Sequence, residues 1–337
     1  MALDRFLLVN QRPGVDGPQQ AEFVALGAAV EQVLVPDLDG QLANVALSLD
    51  HDDDRRDPHK NPYLGVTVGR YANRLAGPHL TFDGTCHELA TNEGPNQLHG
   101  GDDGFGRQLW HGTQLASDRV RFVLTSPHGH MGFPGQMDVS VTYHLTGPAL
   151  RIDLRATSDR PTICSLTNHT YWNLSADEPT VAGHQVTIDA ATVVPVDAEL
   201  IPAGQPQPVS GHLDLRSGRS LGSVGRDGVE YDHCFMIDGR GFRRHARVEH
   251  QKSGRCLEAW SDHPALQFYT GAHLPGTVGG GRRHVPNAGL ALEPQHPPDA
   301  PHQDWAALPR LDPGHEYRHQ IEYRFAVCDS ATTPEAP

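Results

Sequence analysis

Hydrophobic and polar residues alternate with a period of two along most of this chain, as side chains do on the two faces of a half-buried strand. The alternation predicts strands at residues 42–49, 120–124, 139–145, 150–156, 185–188, 247–249, 256–260 and 317–327. Hairpin turns are marked where residues tolerant of turn geometry interrupt it: Asp83-Gly84, Thr146-Gly147-Pro148 and Ser253-Gly254. Helical spacing is found only over residues 19–34, whose β-branched end fits a strand entering a turn equally well. Parallel βαβ units would need intervening helices that the pattern lacks. The expected class is therefore all-β, a sandwich or barrel of antiparallel strands. No shift of composition divides the chain. The charged stretch 50–60, the Pro/Gln-rich 201–209 and the Gly-rich 276–283 read as loops of a single domain over residues 1–329, with 330–337 a frayed tail.

Composition narrows the partners. With 41 acidic against 27 basic residues the formal charge is −14, a field that repels nucleic acid and anionic membranes. The longest apolar run, residues 23–30, is too short to span a bilayer as a helix. The opening Met-Ala-Leu-Asp-Arg is not the basic-then-apolar start of a signal peptide, so a cytoplasmic location is expected. Five cysteines at wide spacing, without any C-x-x-C pair, read as reduced, small apolar side chains. The unusual count is histidine, at 22.

Several familiar motifs fail on context. Gly218-Arg-Ser-Leu-Gly222 fits G-x-S-x-G but lacks the buried strand before it and the helix after it that a nucleophile elbow needs. His128-Gly-His130 has no partner ligands at metal spacing and reads as a surface loop. The sequons at Asn168 and Asn173 have no secretory signal to make them meaningful. Three segments are richer in polar function than loops require. Gly69-Arg-Tyr-Ala-Asn-Arg74 and the run from Asn92 to Gly101 supply Asn73, the donor fork of Arg74, and His99 beside two glycines. Leu166-Thr-Asn-His-Thr-Tyr-Trp-Asn-Leu174 places His169 beside Tyr171 and Trp172, aromatic faces next to amides, as a sugar site needs. Asp232, Gln267 and Glu293 end apolar, strand-like runs, and a carboxylate closing Gly-Leu-Ala-Leu should be buried enough to raise its pKa toward a useful base.

Together with Gly132-Phe-Pro-Gly135, these segments resemble, in order, the aldose 1-epimerases (galactose mutarotases) over most of the chain. The resemblance implies a large antiparallel β-supersandwich with an open sugar cleft and interconversion of the α- and β-anomers of a free aldohexose. It implies Glu293 as general base, His169 as general acid and His99 as the histidine that helps polarise the ring oxygen. Asn73, Arg74, Asp232 and Gln267 would hold sugar hydroxyls, and Tyr171 would line the cleft. No cofactor or metal is needed for that chemistry. The expected partner is a small-molecule sugar, and the protein a monomer or homodimer. The sequence departs from the family pattern at Pro294, where a Thr is usual, and at the rim stretches 128–131, 211–216 and 272–273. Those departures bear on which sugar is bound, and leave open an epimerase-like enzyme acting on a modified or phosphorylated sugar, with Arg74, Arg282 and Arg283 as candidate phosphate clamps. A non-catalytic sugar-binding protein is the alternative from another class. Apart from His99 and His169, the histidines are expected to be solvated loop residues, His233 being only a neighbour of Asp232.

Overall fold

The computed structural model describes residues 2–11, 16–225 and 229–328. The expected tail, 330–337, lies outside the described residues. A nine-stranded antiparallel sheet runs in the order His111–Ala116, Arg119–Ser126, Met137–Thr146, Ala149–Ser158, Tyr317–Val327, Arg255–Ser261, Arg243–His250, His184–Ile188, Arg219–Ser220. A six-stranded sheet has the order Tyr171–Trp172, Leu290–Gln295, Ala265–Tyr269, Asp232–Met236, Thr192–Val193, Gln207–Pro208. A four-stranded sheet over Arg5–Val9, Gln20–Val24, Ala29–Pro36 and Leu42–Asn44 completes the framework. Inward-facing residues of all three merge in one apolar core that includes Phe23, Phe122, Ile152, Trp172, Leu257, Phe268, Leu292 and Phe325. Two tyrosines bond across that core: Tyr143 donates to the carbonyl of Ala28 at 2.6 Å and Tyr323 to that of Leu292 at 2.7 Å. The antiparallel β-supersandwich expected of the sequence is the fold.

The turn signals set the register. Phe82 pairs with Thr85 around Asp83-Gly84, Thr146 with Ala149 around Gly147-Pro148, and His250 with Arg255 around the Ser253-Gly254 turn. The helical reading of residues 19–34 is corrected: the stretch is the hairpin Gln20–Val24 with Ala29–Pro36. Gly27 and Ala28 sit at positive φ (72° and 45°) and reverse the chain between them. The apolar spacing there arises because residues 23–31, the strand ends and the turn between them, are all buried, and 23–30 form a continuous apolar run that periodicity alone cannot separate from a helix. Residues 50–60 hold a single helical turn, Asp52–Arg56. No helix among the described residues is long and apolar enough to cross a membrane.

Two expectations about side chains fail. Cys256 and Cys328 are a disulfide pair, their Cα atoms 6.2 Å apart across 72 residues of sequence. The pairing of Arg255–Ser261 with Tyr317–Val327 puts Cys256 opposite Ala326, and the Cys328 N–H bonds to the Gly254 carbonyl at 2.8 Å. Strand register, not motif spacing, brings these sulfurs together. Cys164 and Cys234 are buried and free, as expected of apolar fillers. Many histidines, too, are interior rather than solvated: His184, His245, His250, His263 and His284 are buried. Their rings satisfy polar groups that the sheets leave over. His184 Nε2 accepts from the Leu174 N–H at 2.8 Å, and His284 Nε2 lies 2.7 Å from the Ser48 carbonyl.

The loop that carries Asn73 and Arg74 is anchored by Arg70. Its buried guanidinium donates to the Ser126 hydroxyl and to the carbonyls of Ser126, Pro127, Pro134 and Gly135, all at 2.8–2.9 Å. Arg70→Met leaves these acceptors buried without donors. It is expected to lower the unfolding free energy by about 3 kcal/mol or more. Chemical denaturation checks this, and a loss below about 1 kcal/mol would contradict it.

Candidate active site

The strand Leu290–Gln295 is buried at every position, with Ala265–Tyr269 on one side and Tyr171–Trp172 on the other. Directly opposed residues of an antiparallel pair share a face. One row across the six-stranded sheet is Tyr171, Ala291, Tyr269 and Asp232, and the next is Glu293, Gln267 and Cys234. The small Ala291 lies between Tyr171 and Tyr269 in this row, and their rings stand edge to face at 6.0 Å. The face thus offers two aromatic surfaces beside a carboxylate, an amide and a second carboxylate.

His169 enters from the chain just before Tyr171. Its backbone is pinned on both sides, N–H to the Val66 carbonyl at 2.9 Å and carbonyl to the Gly65 N–H at 3.0 Å. Its ring packs 4.8 Å from that of Tyr171, and its Nε2 stands 3.5 Å from Glu293 Oε1. His99 closes the group, its ring 5.3 Å from that of His169. His99 and Asn73 both hold left-handed backbone (φ 53° and 68°) and bond to each other: His99 N–H to the Asn73 carbonyl at 3.0 Å, Asn73 N–H to His99 Nδ1 at 3.2 Å. Because Nδ1 accepts, the ring proton of His99 sits on Nε2. Gly100 permits this bend; a Cβ there would collide with the carbonyl of Gly69.

Arg74 spends one edge of its fork on Glu93, with Nε and Nη2 donating to the two carboxylate oxygens at 2.6 and 2.8 Å. Gln267 Nε2 donates to Asp232 Oδ1 at 2.5 Å. Three buried polar atoms of the group have no protein partner: His169 Nδ1, Gln267 Oε1 and Glu293 Oε2. Three such atoms on neighbouring side chains, an acceptor on each of Gln267 and Glu293 and a ring nitrogen of His169, mark a place for hydroxyls.

Burial governs the charges. It pushes the Glu293 carboxyl well above the ordinary carboxylate range, an effect that Asp232 adds to and Arg74 partly opposes. Burial lowers His169 to about 4 and His99 well below a free histidine, the latter also repelled by His169, Arg74 and Arg107. Asp232 is raised by burial against the opposing pull of Arg74 and the Gln267 bond. Neutral imidazoles beside a carboxyl that keeps its proton near neutrality form an acid–base set poised for proton exchange.

All eight residues singled out in the sequence therefore lie in or around one recess. Reading the sequence missed Glu93, which orients Arg74, and Tyr63, whose ring lies 4.6 Å from that of His99 and under the Arg107 guanidinium at 4.7 Å. Glu93 lay inside a segment already marked as polar, so its spacing to Arg74 was available. Tyr63 follows a charged loop and carries no local signal. The dismissed motifs stay dismissed. Ser220 is exposed on an edge strand, His130 is held by Ser126 and Asp103 while His128 accepts from the Gly135 N–H, and both sequon asparagines are buried.

Residues 16–324 match the family model described as aldose 1-epimerase. The chain belongs to the aldose 1-epimerase family. It is 38% identical over 318 residues to the galactose mutarotase of Bos taurus, with 92% of each chain covered. It is 35% identical over 315 residues to the aldose 1-epimerase of Escherichia coli K12, with 89% and 90% covered. The crystal structure of an aldose epimerase homologue from C. elegans superposes with a TM-score of 0.90 at 30% identity, covering 97% of this chain and all of that one. The galactose 1-epimerase of Lactobacillus acidophilus gives 0.78 at 26% identity, covering 96% and 99%. Like the named members of this family, the chain is an isomerase of the aldose 1-epimerase type.

Glu93→Ala removes the carboxylate that aims Arg74 without touching Glu293 or His169. Its expected signature is a KM raised about tenfold, the worth of one positioning contact, with kcat little changed. A fall in kcat at unchanged KM would contradict this role.

Proposed function

We propose that this chain interconverts the α- and β-anomers of a free aldohexose, glucose or galactose, with Glu293 as base, His169 as acid and His99 polarising the ring oxygen. The observation that carries the reading is the 3.5 Å approach of His169 Nε2 to Glu293 Oε1 inside a buried recess. The C1 hydroxyl oxygen and the ring oxygen O5 are bonded to the same carbon, so base and acid must stand this close to serve both.

Glu293 takes the proton of the C1 hydroxyl as His169 protonates O5. The C1–O5 bond breaks, C1 becomes an aldehyde carbon, and rotation about C1–C2 presents its other face. Ring closure runs the same transfers backwards: the O5 hydroxyl returns its proton to His169 and Glu293 protonates the new C1 oxygen. The pair carries one proton throughout: it rests on Glu293 in the empty site, passes to His169 as the sugar binds, leaves His169 for O5 on opening, and is replaced on Glu293 by the proton of the C1 hydroxyl. The Nε2–H of His99 is a neutral donor suited to O5. Asn73, Arg74, Asp232 and Gln267 take the sugar hydroxyls, and Tyr171 and Tyr269 face its CH surface.

Free sugars fit better than phosphorylated ones. Arg74 already carries Glu93, Arg283 bonds the Gly276 carbonyl, and Arg282 lines a separate polar recess with Glu22, Glu31, Ser48 and Asp50. The three arginines do not converge on the catalytic pair.

Polarimetry on fresh α-glucose or α-galactose tests the reading. Glu293→Gln and His169→Ala are each expected to cut kcat about 10²- to 10⁴-fold. Full activity in both would overturn the acid–base assignment, and saturable sugar binding with no effect on rate would favour a binding protein. The pH profile follows from the single shared proton. Activity falls at low pH when His169 gains a second proton for the pair, near pH 4 rather than at the ordinary histidine value. On the alkaline side it falls as the pair loses its only proton. Because Asp232 raises Glu293, Asp232→Asn should move that alkaline limb of kcat/KM to lower pH. A limb that stays put or moves upward would contradict the coupling.

A further inference from the structure

His263, His296 and His319 come together where the two large sheets meet. His263 follows the strand Arg255–Ser261, His296 follows Leu290–Gln295, and His319 lies in Tyr317–Val327. One ring nitrogen from each lies within 4.8 Å of the others'. The rings of His263 and His319 stack at 4.0 Å, and His296 meets them edge-on at 6.0 and 5.5 Å. His296 Nδ1 is buried with no hydrogen-bond partner, so a lone pair or N–H is left without a use in the protein alone.

We propose that these three histidines bind one divalent transition-metal ion, of the kind that prefers imidazole, such as Zn²⁺, and that the ion clamps the six-stranded sheet to the nine-stranded one. Burial lowers His296 to about 3 and His263 well below the ordinary histidine value, so both keep their lone pairs at neutral pH. His319 Nδ1 bonds to Asp262 Oδ1 at 3.1 Å, leaving Nε2 for an ion in the carboxylate–histidine–metal arrangement common in such sites. His263 is held by the Ser261 hydroxyl at 2.9 Å and the Tyr317 hydroxyl at 3.1 Å. His296 and His319 are partly exposed and provide the way in. At Zn–N bonds of 2.0–2.1 Å, tetrahedral ligands sit about 3.4 Å apart. Loading therefore draws the nitrogens inward, with His319 leaving its stack on His263 and Tyr317 yielding the ring nitrogen it now holds. The fourth position stays open to solvent. The ion takes no part in the sugar chemistry: its role is to tie the end of the strand that carries Glu293 to the C-terminal strand.

The test uses the full chain without a histidine tag, titrated with Co²⁺ and followed by its visible absorption, with Zn²⁺ as competitor. One equivalent is expected to bind saturably at micromolar concentration, Zn²⁺ to displace it, and the thermal midpoint to rise on loading. Binding should disappear in His319→Gln and fall at least tenfold in His296→Asn, both checked for unchanged thermal midpoint in the absence of metal. Glu293→Gln should bind undiminished. His99, His169 and Glu293 also bring ligand atoms within 4.8 Å of one another, so loss of binding in Glu293→Gln would place the ion in the sugar recess and overturn the proposal. Failure of both histidine variants to alter binding, or no saturation below millimolar Co²⁺, would overturn it equally. These outcomes stand apart from the polarimetric rates, so the metal site can fail while the epimerase reading holds.

Discussion

A carboxylate buried with no cation in contact is the constraint around which the rest is built. Glu293 lies 1% exposed in a strand whose six residues are all interior. Burying an unpaired charge is far more costly than burying a neutral acid, so the site holds Glu293 protonated or shares its proton with His169. Holding such a group in place needs a support that cannot relax around it. The ladders on both sides of Leu290–Gln295 and the aromatic core beneath provide that support, with the Tyr323 hydroxyl bonded to the neighbouring Leu292 carbonyl. The Pro294 that stands where the family usually has Thr fits the same frame. Its carbonyl accepts the Thr167 hydroxyl at 2.8 Å and so joins the base's strand to the segment carrying His169.

Two other charges act on this carboxyl, in opposite directions. Arg74 is near enough to temper it, and its fork is engaged by Glu93. Asp232 pushes the other way and is itself held by Gln267. A direct Arg–Glu293 pair would have stabilised the carboxylate and spoiled it as a proton carrier.

The fold was legible wherever one strand face was wet and one dry. The strand expected at 317–327 is the observed Tyr317–Val327, and the Gly-containing turns closed the hairpins where they were expected. Residues 19–34 misled because the strand ends and the turn between them, residues 23–31, are buried without a break and so interrupt the alternation on either side. In the site, residues with a chemical reason to be beside glycines or aromatics stood out: His99, His169, Arg74. Relations set by register did not. Nothing local announces that Cys256 and Cys328, 72 residues apart, become neighbours, or that Tyr63 packs against His99. The histidine excess was misjudged for the same reason: an imidazole that bonds a backbone carbonyl in the core is indistinguishable in sequence from one in water.

The central claim is that His169 is neutral and Glu293 carries the proton in the resting recess, so that substrate meets a pair with one proton to pass. Following the ring nitrogens of His169 by ¹⁵N NMR across pH in the sugar-free protein, with His169→Ala to assign the signals, tests this most directly. The neutral-imidazole shifts should persist from pH 8 to about pH 5 and change only near pH 4. A transition near the ordinary histidine value of about 6.5, or a charged ring at neutral pH, would contradict it.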